Sequence, residues 1–267
     1  NGSLLSIENL KTSASLGDSS LLEVVLFNGG LTTISNATIN WSINNVQQAS
    51  INWSGSLLSI EKDTISLGKI MYQSGYNHIV VWISGLGMLN DTIHKDDTIR
   101  ATNFTCDSVY NGVYSVGTGG KFTSLEQALD ILNKCGISGT VTLEIKSGTY
   151  SAIMIRDSVL GSSSIRKIII TSAARNADSV QFVGGSALTL NNASNYVFRD
   201  ITFDARTAAY GILINGKTRN IEISHCKILA NPTTSSSSDG GIYKASGEVA
   251  DSIRIIGNLI DGGYYGI

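Results

Sequence analysis

Apolar and polar residues alternate with a period of two through the second half of the chain, and this alternation returns in successive copies. Residues 195–203, 220–228 and 252–260 align with mostly apolar residues at four shared positions. A period of two is typical of strands, because alternate side chains of a strand point to the same side. The first shared position holds Leu143, Ile168, Tyr196, Ile221 and Ile253, at steps of 25, 28, 25 and 32 residues.

These copies predict a parallel β-helix. A strand-only unit of about 25 residues cannot bury its apolar face alone, so it must stack on its neighbours. Successive coils would then lie ~4.8 Å apart, with equivalent residues in columns along the stack. A shorter repeat accompanies the coils at residues 210–212, 240–242 and 265–267, where Gly precedes Ile. The polar stretch 231–239 predicts a loop within the longest step.

The first part of the chain, residues 1–105, lacks the coil repeat and predicts a different fold. Short alternating segments are separated there by Gly, Asn and Ser. Several short strands within roughly 100 residues are typical of an antiparallel β-sandwich. Four segments predict strands, at 21–27, 37–43, 63–67 and 77–83, and we expect the core to include Trp41, Trp53 and Trp82.

One helix is predicted, just before the first coil. Residues 123–126 have the capping-box pattern, an apolar face follows, and Gly136 ends the pattern. We expect this helix to cover the open end of the β-helix core and its unpaired strand edges. The expected organisation is a sandwich at 1–105, a Gly- and Ser-rich linker at 106–121 and a helix-capped β-helix at 122–267. Because the sequence stops partway through a coil, we expect the β-helix to be truncated at its C-terminal end.

Segments of the first part resemble the immunoglobulin-like domains of the CARDB type, which occur in secreted and surface proteins of bacteria. The resemblance rests on residues 28–30, 37–44, 53–57, 67–68 and 96–98, whereas residues 85–91 lack the proline that such domains usually carry. In that family these domains serve mostly as spacers or adhesion modules. The resemblance therefore implies a structural or binding role for this part of the chain.

The second part resembles the start of the right-handed parallel β-helices of the pectate-lyase-like superfamily. Residues 114–125, 135–143 and 147–150 carry this resemblance, together with the coil repeat. It implies the fold and not the substrate, because such helices include lyases, hydrolases, phage tailspikes and adhesins.

Composition restricts the partners. The chain has 19 Lys and Arg against 21 Asp and Glu, a net charge of −2, and no basic run. Nucleic acids and anionic membranes require a clustered cationic surface, so the composition argues against both. No apolar run approaches the ~18 residues of a membrane span. The Ser-, Thr- and Asn-rich composition favours an extracellular or cell-surface location.

The three cysteines fit no metal-site spacing. Cys226 lies in an inward column with Ile201 and Asn258, so we expect it to be a buried core residue. Cys106 and Cys135 flank the predicted helix and could form a disulfide in a secreted protein.

A possible catalytic pair occurs at the turn after the first strand of each coil. Asp200 and His225 share a column there and should lie ~4.8 Å apart, with Asp204 and Lys227 nearby. Such residues could act as a general acid and base. A surface contact at a coil corner is the alternative interpretation.

Two other groups are candidates for binding. Tyr243, Tyr264 and Tyr265 lie beside the Ser-rich loop and could stack on sugar rings, although exposed tyrosines need no ligand. The acidic residues Asp91, Asp96 and Asp97 could bind calcium at a sandwich edge, but they lack the spacing of a known calcium loop. The sequence therefore assigns no metal or other cofactor.

Taken together, these patterns favour an all-β, secreted or cell-surface modular protein with a binding or adhesion role. Its partner would be a polysaccharide or a cell-surface glycan. The alternative is a polysaccharide lyase or glycoside hydrolase whose site lies partly outside these residues. The sequence assigns no oligomeric state.

Overall fold

The computed structural model describes residues 1–86, 93–207, 210–235 and 239–267. Within these ranges the chain forms two compact units, Asn1–Ser108 and Val109–Ile267, each with its own hydrophobic core. The first unit is a sandwich of two β-sheets and the second is a stack of parallel strands with one α-helix. The predicted fold class, an all-β chain with an immunoglobulin-like sandwich and a helix-capped parallel β-helix, is confirmed.

The described part of the first unit contains nine strands in two sheets. One sheet has the order β1-β3-β7, and the other has the order β2-β9-β8-β4, with β5 and β6 paired to β4. All pairs are antiparallel except that of β2 with β9. The four predicted segments lie within β3, β4, β7 and β8. The strands are β1 Gly2–Glu8, β2 Ser13–Ser15, β3 Ser19–Asn28, β4 Ile34–Ile43, β5 Val46–Gln47, β6 Ile51–Leu57, β7 Lys62–Met71, β8 Gly75–Gly85 and β9 Thr98–Cys106.

The tryptophans of the sandwich occupy three different environments. Trp41 is 4% exposed and belongs to the core, as expected. Trp53 is half-buried at the core margin, where its Nε1 donates a hydrogen bond of 2.6 Å to Asp63 Oδ2. Trp82 is also half-buried, but it faces away from the core because its neighbour Val81 faces inward and the strand alternates. The expectation that all three lie in the core is therefore wrong for Trp82.

The second unit consists of 13 strands, an α-helix and a short 3₁₀ helix within the described residues. All its strand pairs are parallel, as expected for a β-helix. The elements are β10 Tyr110–Val116, α1 Leu125–Cys135, β11 Ile137–Ile145, β12 Gly148–Arg156, β13 Ile168–Ser172, the 3₁₀ helix Ala177–Ser179, β14 Val180–Asn191, β15 Ser194–Arg199, β16 Thr202–Asp204, β17 Tyr210–Asn215, β18 Lys217–Ser224, β19 Lys227–Leu229, β20 Gly240–Lys244, β21 Val249–Ile256 and β22 Leu259–Asp261.

Each coil has three faces. The first face is the sheet β10-β11-β13-β15-β18-β21. Strand β14 contributes to both other faces, because residues 181–183 pair with β16 while residues 188–191 pair with β17. The second face therefore contains β16, β19 and β22, and the third face contains β17 and β20. The described residues of the second unit make about five turns of this solenoid.

The predicted inward columns form over most of the first face. Ile168, Tyr196, Ile221 and Ile253 are direct partners in successive strands, and the first three are at most 1% exposed. The expected place of Leu143 is wrong by two residues, because Val141 pairs with Ile168. A shift of two residues keeps apolar side chains on the inner side, so the alternation alone could not distinguish the two registers.

The capping helix forms as predicted, with its start one residue later. Ser124 is the N-cap, and its hydroxyl accepts a hydrogen bond from the backbone N–H of Gln127. The Gln127 side chain accepts in turn from the backbone N–H of Thr123. Gly136, at a φ of 74°, ends the helix and donates its N–H to the Leu132 carbonyl. The buried residues of the helix are Leu125, Ala128, Leu129 and Leu132.

The β-helix begins earlier in the chain than the sequence indicated. Residues 110–116, which the expected linker 106–121 includes, form β10 and pair with β11 in parallel. Tyr110 and Val116 are buried in the core of the second unit. The Gly and Ser residues of the stretch 106–121 suggested a linker, but residues 110–116 pair with β11 through their backbone and are anchored by these two apolar side chains.

The cysteines differ in oxidation state. Cys106 and Cys135 are both disulfide-bonded, and Cys226 is a free thiol. Cys226 is buried as expected, at 1% exposure, and burial raises the pKa of its thiol to about 12. A thiol with such a pKa stays protonated at neutral pH and is a poor nucleophile.

We expect the inward columns to determine the stability of the second unit. Ile223→Ala should cost ~2–5 kcal/mol, because Ile223 is fully buried. Ile256→Ala is the matched control, and its cost should stay within ~0.5 kcal/mol because Ile256 is 40% exposed on the outward side. Urea unfolding followed by far-UV circular dichroism measures both effects. All three tryptophans belong to the first unit, so the urea midpoint measured by tryptophan fluorescence should be the same in both variants as in the wild type. Equal costs for Ile223→Ala and Ile256→Ala would contradict the assigned register.

The cysteine assignments predict one reactive thiol per chain, and only after unfolding. Without reductant, a thiol-specific chromogenic reagent should titrate no cysteine in the native protein and one in guanidinium. Cys226→Ser should abolish the signal in the denatured protein. Three thiols in guanidinium, or rapid labelling of the native protein, would contradict the assignment.

Candidate functional site

The proposed catalytic pair lies at one corner of the coil, between the first and second faces. Asp200 and His225 follow β15 and β18 at equivalent positions, since the paired residues Arg199 and Ser224 precede them. His225 is exposed and Asp200 is half-buried. Among the described contacts, no hydrogen bond or ion pair joins the two side chains; a long 3.4 Å contact joins Asp200 Oδ2 to the Thr171 hydroxyl.

The backbone explains why these two residue types share a column. Asp200, His225 and Gly257 occupy the same corner in successive coils, with φ values of 56°, 52° and 61°. This left-handed conformation is readily adopted by Gly and is enriched in Asp and His among other residues. The corner therefore requires residues of these types whatever their chemistry, which supports the structural interpretation of the column.

Asp204 is tied into an ion pair. Its carboxylate is 8% exposed and accepts hydrogen bonds from Arg206 Nε at 3.0 Å and Arg206 Nη2 at 2.6 Å. Gln181 Nε2 donates a further bond of 2.7 Å. The Arg206 guanidinium lowers the pKa of the Asp204 carboxyl, and this effect outweighs the opposing effect of burial. Asp204 is thus held as a carboxylate with its acceptor sites occupied.

Lys227 and Glu222 are also in ion pairs. Lys227 forms an ion pair with Asp178. On the first face Glu222 lies between Arg199, at 3.1 Å, and Arg254, at 4.0 Å. The structure therefore separates the four catalytic candidates into a corner column and two independent ion pairs. Among the contacts of the described residues, none joins one of these four side chains to another.

The tyrosine candidates lie close together at the third face. The rings of Tyr210 and Tyr243 stack at a centroid distance of 4.4 Å and an interplanar angle of 12°. The rings of Tyr264 and Tyr265 meet edge to face at 4.8 Å, and both residues are more than half exposed. We call these four residues, with Asp239, the tyrosine site.

Backbone contacts fix the tyrosine site. The Asp239 carbonyl accepts hydrogen bonds from the backbone N–H groups of Tyr264 and Tyr265, at 2.9 and 3.3 Å. Burial raises the pKa of the Tyr210 phenol, and the nearby Tyr243 and Asp239 raise it further. The phenol therefore stays neutral. A cavity of about 420 Å³ lies at the last described coil, where the inward residues Ile214, Ile242 and Ile253 line it together with Asp239, Tyr243, Lys244 and Tyr265.

Tyr210 was not identified from the sequence as a binding candidate, although Tyr210 is the first residue of the short repeat that also contains Tyr265. Tyr210 pairs with Gly240, and Gly240 pairs with Tyr265, so the three first residues of the repeat form one column. Gly240 places no side chain between the two tyrosines. The ring of Tyr243, whose register partner is Leu213, stacks against Tyr210.

Two of the three calcium candidates, Asp96 and Asp97, lie within the described residues, where each contacts another side chain. Asp91 lies outside the described residues. Asp96 accepts a hydrogen bond from Asn1 Nδ2 at 3.0 Å, and Asp97 contacts His94 Nδ1 at 3.0 Å. Across the described ranges, no three His, Cys, Asp or Glu side chains are placed to hold a metal ion.

The ion pair of Asp204 predicts a pH-dependent contribution to stability. Arg206→Ala leaves a buried carboxylate unpaired and should cost about 1–3 kcal/mol at pH 7. The folded-state pKa of Asp204 lies below its unfolded value of about 3.9, so the stabilisation is complete above that pH and is lost as the pH falls through the folded pKa. The difference between wild type and variant should therefore narrow below about pH 4.

Urea unfolding at several pH values measures this difference. Arg254→Ala is the control, because Arg254 is 67% exposed and its pair with Glu222 spans 4.0 Å, so its cost should stay below ~0.5 kcal/mol. A cost for Arg206→Ala that is independent of pH would refute the role of the ion pair.

No helix in the described part of the chain has the length and apolar composition needed to span a membrane.

Comparison with known proteins gives partial structural likenesses only. No protein-family model and no curated protein matches the chain. A crystal structure of the CARDB domain of the PF1109 protein from Pyrococcus furiosus, in complex with di-metal ions, is 14% identical and covers 40% of this chain and 94% of that domain, with a TM-score of 0.35. Its solution structure is 15% identical over 39% of this chain and 95% of that domain, with a TM-score of 0.34. A domain from Methanosarcina acetivorans, from a protein whose name alone assigns it to the cell surface, is 11% identical over 41% of this chain and 96% of that domain, with a TM-score of 0.33. These likenesses assign no ligand or activity to this chain.

Proposed function

We propose that this chain is a modular binding protein of the cell exterior whose β-helix binds a glycan at the tyrosine site. The stacked pair of Tyr210 and Tyr243 beside the 420 Å³ cavity is the observation that carries the proposal. Aromatic rings with one apolar face and a polar hydroxyl suit sugars, which have apolar C–H faces and polar edges. Asp239 and Lys244 supply polar groups at the cavity wall.

The oxidised cysteines support an extracellular location. Cys106 and Cys135 are disulfide-bonded, and disulfides persist in oxidising environments such as the extracellular space and the periplasm. The single free thiol, Cys226, is buried and protected from oxidation.

The state of the charged residues favours binding over hydrolysis. A general acid must carry a proton at working pH, whereas the pKa of Asp204 is lowered by Arg206. Lys227 is paired with Asp178, and Asp200 and His225 occupy positions that the backbone restricts. The polysaccharide lyase or hydrolase stays the alternative, and turnover of a polysaccharide by this protein would favour it.

The proposal predicts that removing one stacked ring weakens glycan binding. Screening on an immobilised glycan array, followed by titration calorimetry with the oligosaccharides that bind, measures the affinity. Tyr243→Ala should weaken binding about tenfold, or about 1.4 kcal/mol, because a ring-stacking contact is lost. Tyr243→Phe keeps the ring and should stay within about threefold of wild type if stacking dominates.

An exposed tyrosine of the first unit provides the control. Tyr76→Ala should leave the affinity unchanged, because Tyr76 lies on the sandwich. The proposal fails if no glycan on the array binds, or if Tyr243→Ala and Tyr76→Ala have the same effect.

A further inference from the structure

The cations of the second unit are distributed unevenly between paired and unpaired states. Within the described residues, six of them form ion pairs with carboxylates, and these pairs lie on the helix and on the first and second faces. They are Lys134, Arg175, Arg199, Arg206, Lys227 and Arg254. Lys146 and Lys244 donate to backbone carbonyls.

Six further cations have no ion pair or side-chain hydrogen bond among the described contacts, and all but Lys121 share one part of the fold. These five lie where the chain passes from the third face to the first face of a coil. All five are exposed except Lys167, which is half-buried. We call this surface the basic corner, and its members are Arg156, Arg166, Lys167, Lys217 and Arg219.

The strand register places these cations in neighbouring columns. Arg156 is the last residue of β12, and its register partner in the next coil is Asn191. Lys167 precedes Ile168 and therefore shares a column with Asn220, which precedes Ile221. Arg219 adjoins Asn220 in the chain, so Lys167 and Arg219 lie two coil steps apart, or ~10 Å along the stack.

The acidic residues of the corner do not neutralise it. Asp157 follows Arg156, Asp251 is the register partner of Arg219, and Glu248 precedes Val249, the register partner of Lys217. None of the three forms an ion pair among the described contacts; Asp157 and Asp251 are exposed and Glu248 is half-buried. Five cations therefore face three carboxylates here, although the whole chain has a net charge of −2.

A ladder of asparagines makes the corner rigid. Asn220 Nδ2 donates to Asn195 Oδ1 at 2.7 Å, and Asn195 Nδ2 donates to the Ser162 hydroxyl at 3.1 Å. The Asn192 side chain accepts from the backbone N–H of Lys217 at 2.9 Å. The ladder therefore fixes the backbone positions from which the cations project, while it leaves their side chains unrestrained.

We propose that the basic corner binds a linear acidic polysaccharide, with its carboxylate or sulfate groups spaced along the coil stack. A polymer with charges at a regular repeat suits cations placed at multiples of the coil spacing. The described corner exposes no aromatic ring, so it lacks the stacking platform with which proteins hold single-stranded nucleic acids. The binding surface uses none of the residues of the tyrosine site, and it extends the proposed function to a second, charged ligand class.

Polygalacturonate, chondroitin sulfate and neutral dextran are suitable probes for the test, with oligo-dT as the nucleic-acid comparison. The wild-type protein should bind the two acidic polysaccharides and not dextran, and the affinity should fall at least about tenfold between about 50 mM and about 500 mM NaCl. The double charge reversal Lys217→Glu with Arg219→Glu should weaken binding to the acidic probes about tenfold or more. Far-UV circular dichroism checks that this variant folds, as its exposed positions lead us to expect.

Matched variants test whether binding of the acidic probes depends on the position and the charge of these cations. Lys121→Glu reverses an exposed cation outside the corner and should stay within about twofold, while Lys217→Arg with Arg219→Lys keeps the charge and should stay within about threefold. Tyr243→Ala should leave binding of the acidic probes unchanged, and the double reversal should leave binding of neutral glycans unchanged. The proposal for the basic corner and the proposal for the tyrosine site can therefore be refuted independently. Equal effects of Lys121→Glu and the double reversal, dextran binding as tight as that of the acidic probes, or tighter binding of oligo-dT would each overturn the proposal.

Discussion

The in-register stacking of parallel strands is the constraint on which the second unit depends. Each coil leaves its backbone N–H and C=O groups unpaired until the next coil lies beside it, so every strand shares the register of its neighbours. Ile168, Tyr196, Ile221 and Ile253 are therefore direct partners and form one inner column. The same constraint orders the outer surface, because any side chain that faces solvent has a fixed neighbour one coil above and one coil below.

This constraint explains which parts of the fold could be predicted from sequence. The period of two and the coil repeat identified the strands and their inner sides, since burial acts on every copy in the same way. The register of β11 was missed, because pairing Val141 or Leu143 with Ile168 buries equally apolar residues. Strand β10 was missed because it lies in a stretch rich in Gly, Ser and Thr and outside the coil repeat, although Tyr110, Tyr114 and Val116 alternate with other residues in it.

The corners show why shared position alone is weak support for catalysis. Asp200 and His225 were singled out because they share a column, and they do share it, but with Gly257 and with a left-handed backbone in each coil. The preference of that backbone for Asp, His and Gly accounts for the column without any chemistry. The partner of Asp204, in contrast, is Arg206, which lies outside the coil repeat, so no alignment of copies could have revealed the ion pair. Local turns, rather than the repeat, determine which charges are neutralised.

The same reasoning separates local charge from net charge. Arg156 and Arg219 lie 63 positions apart in the chain, and no basic run marks either of them. Stacking brings the strand ends that carry them to one corner, whereas Arg175, Arg199 and Arg206 form ion pairs with carboxylates elsewhere on the coils. The net charge of the chain sums over the paired and the unpaired cations alike, and it is therefore close to zero. The electrostatic potential at a surface depends on which cations within about one Debye length are left unpaired. In a solenoid, therefore, a net charge close to zero does not argue against an anionic ligand.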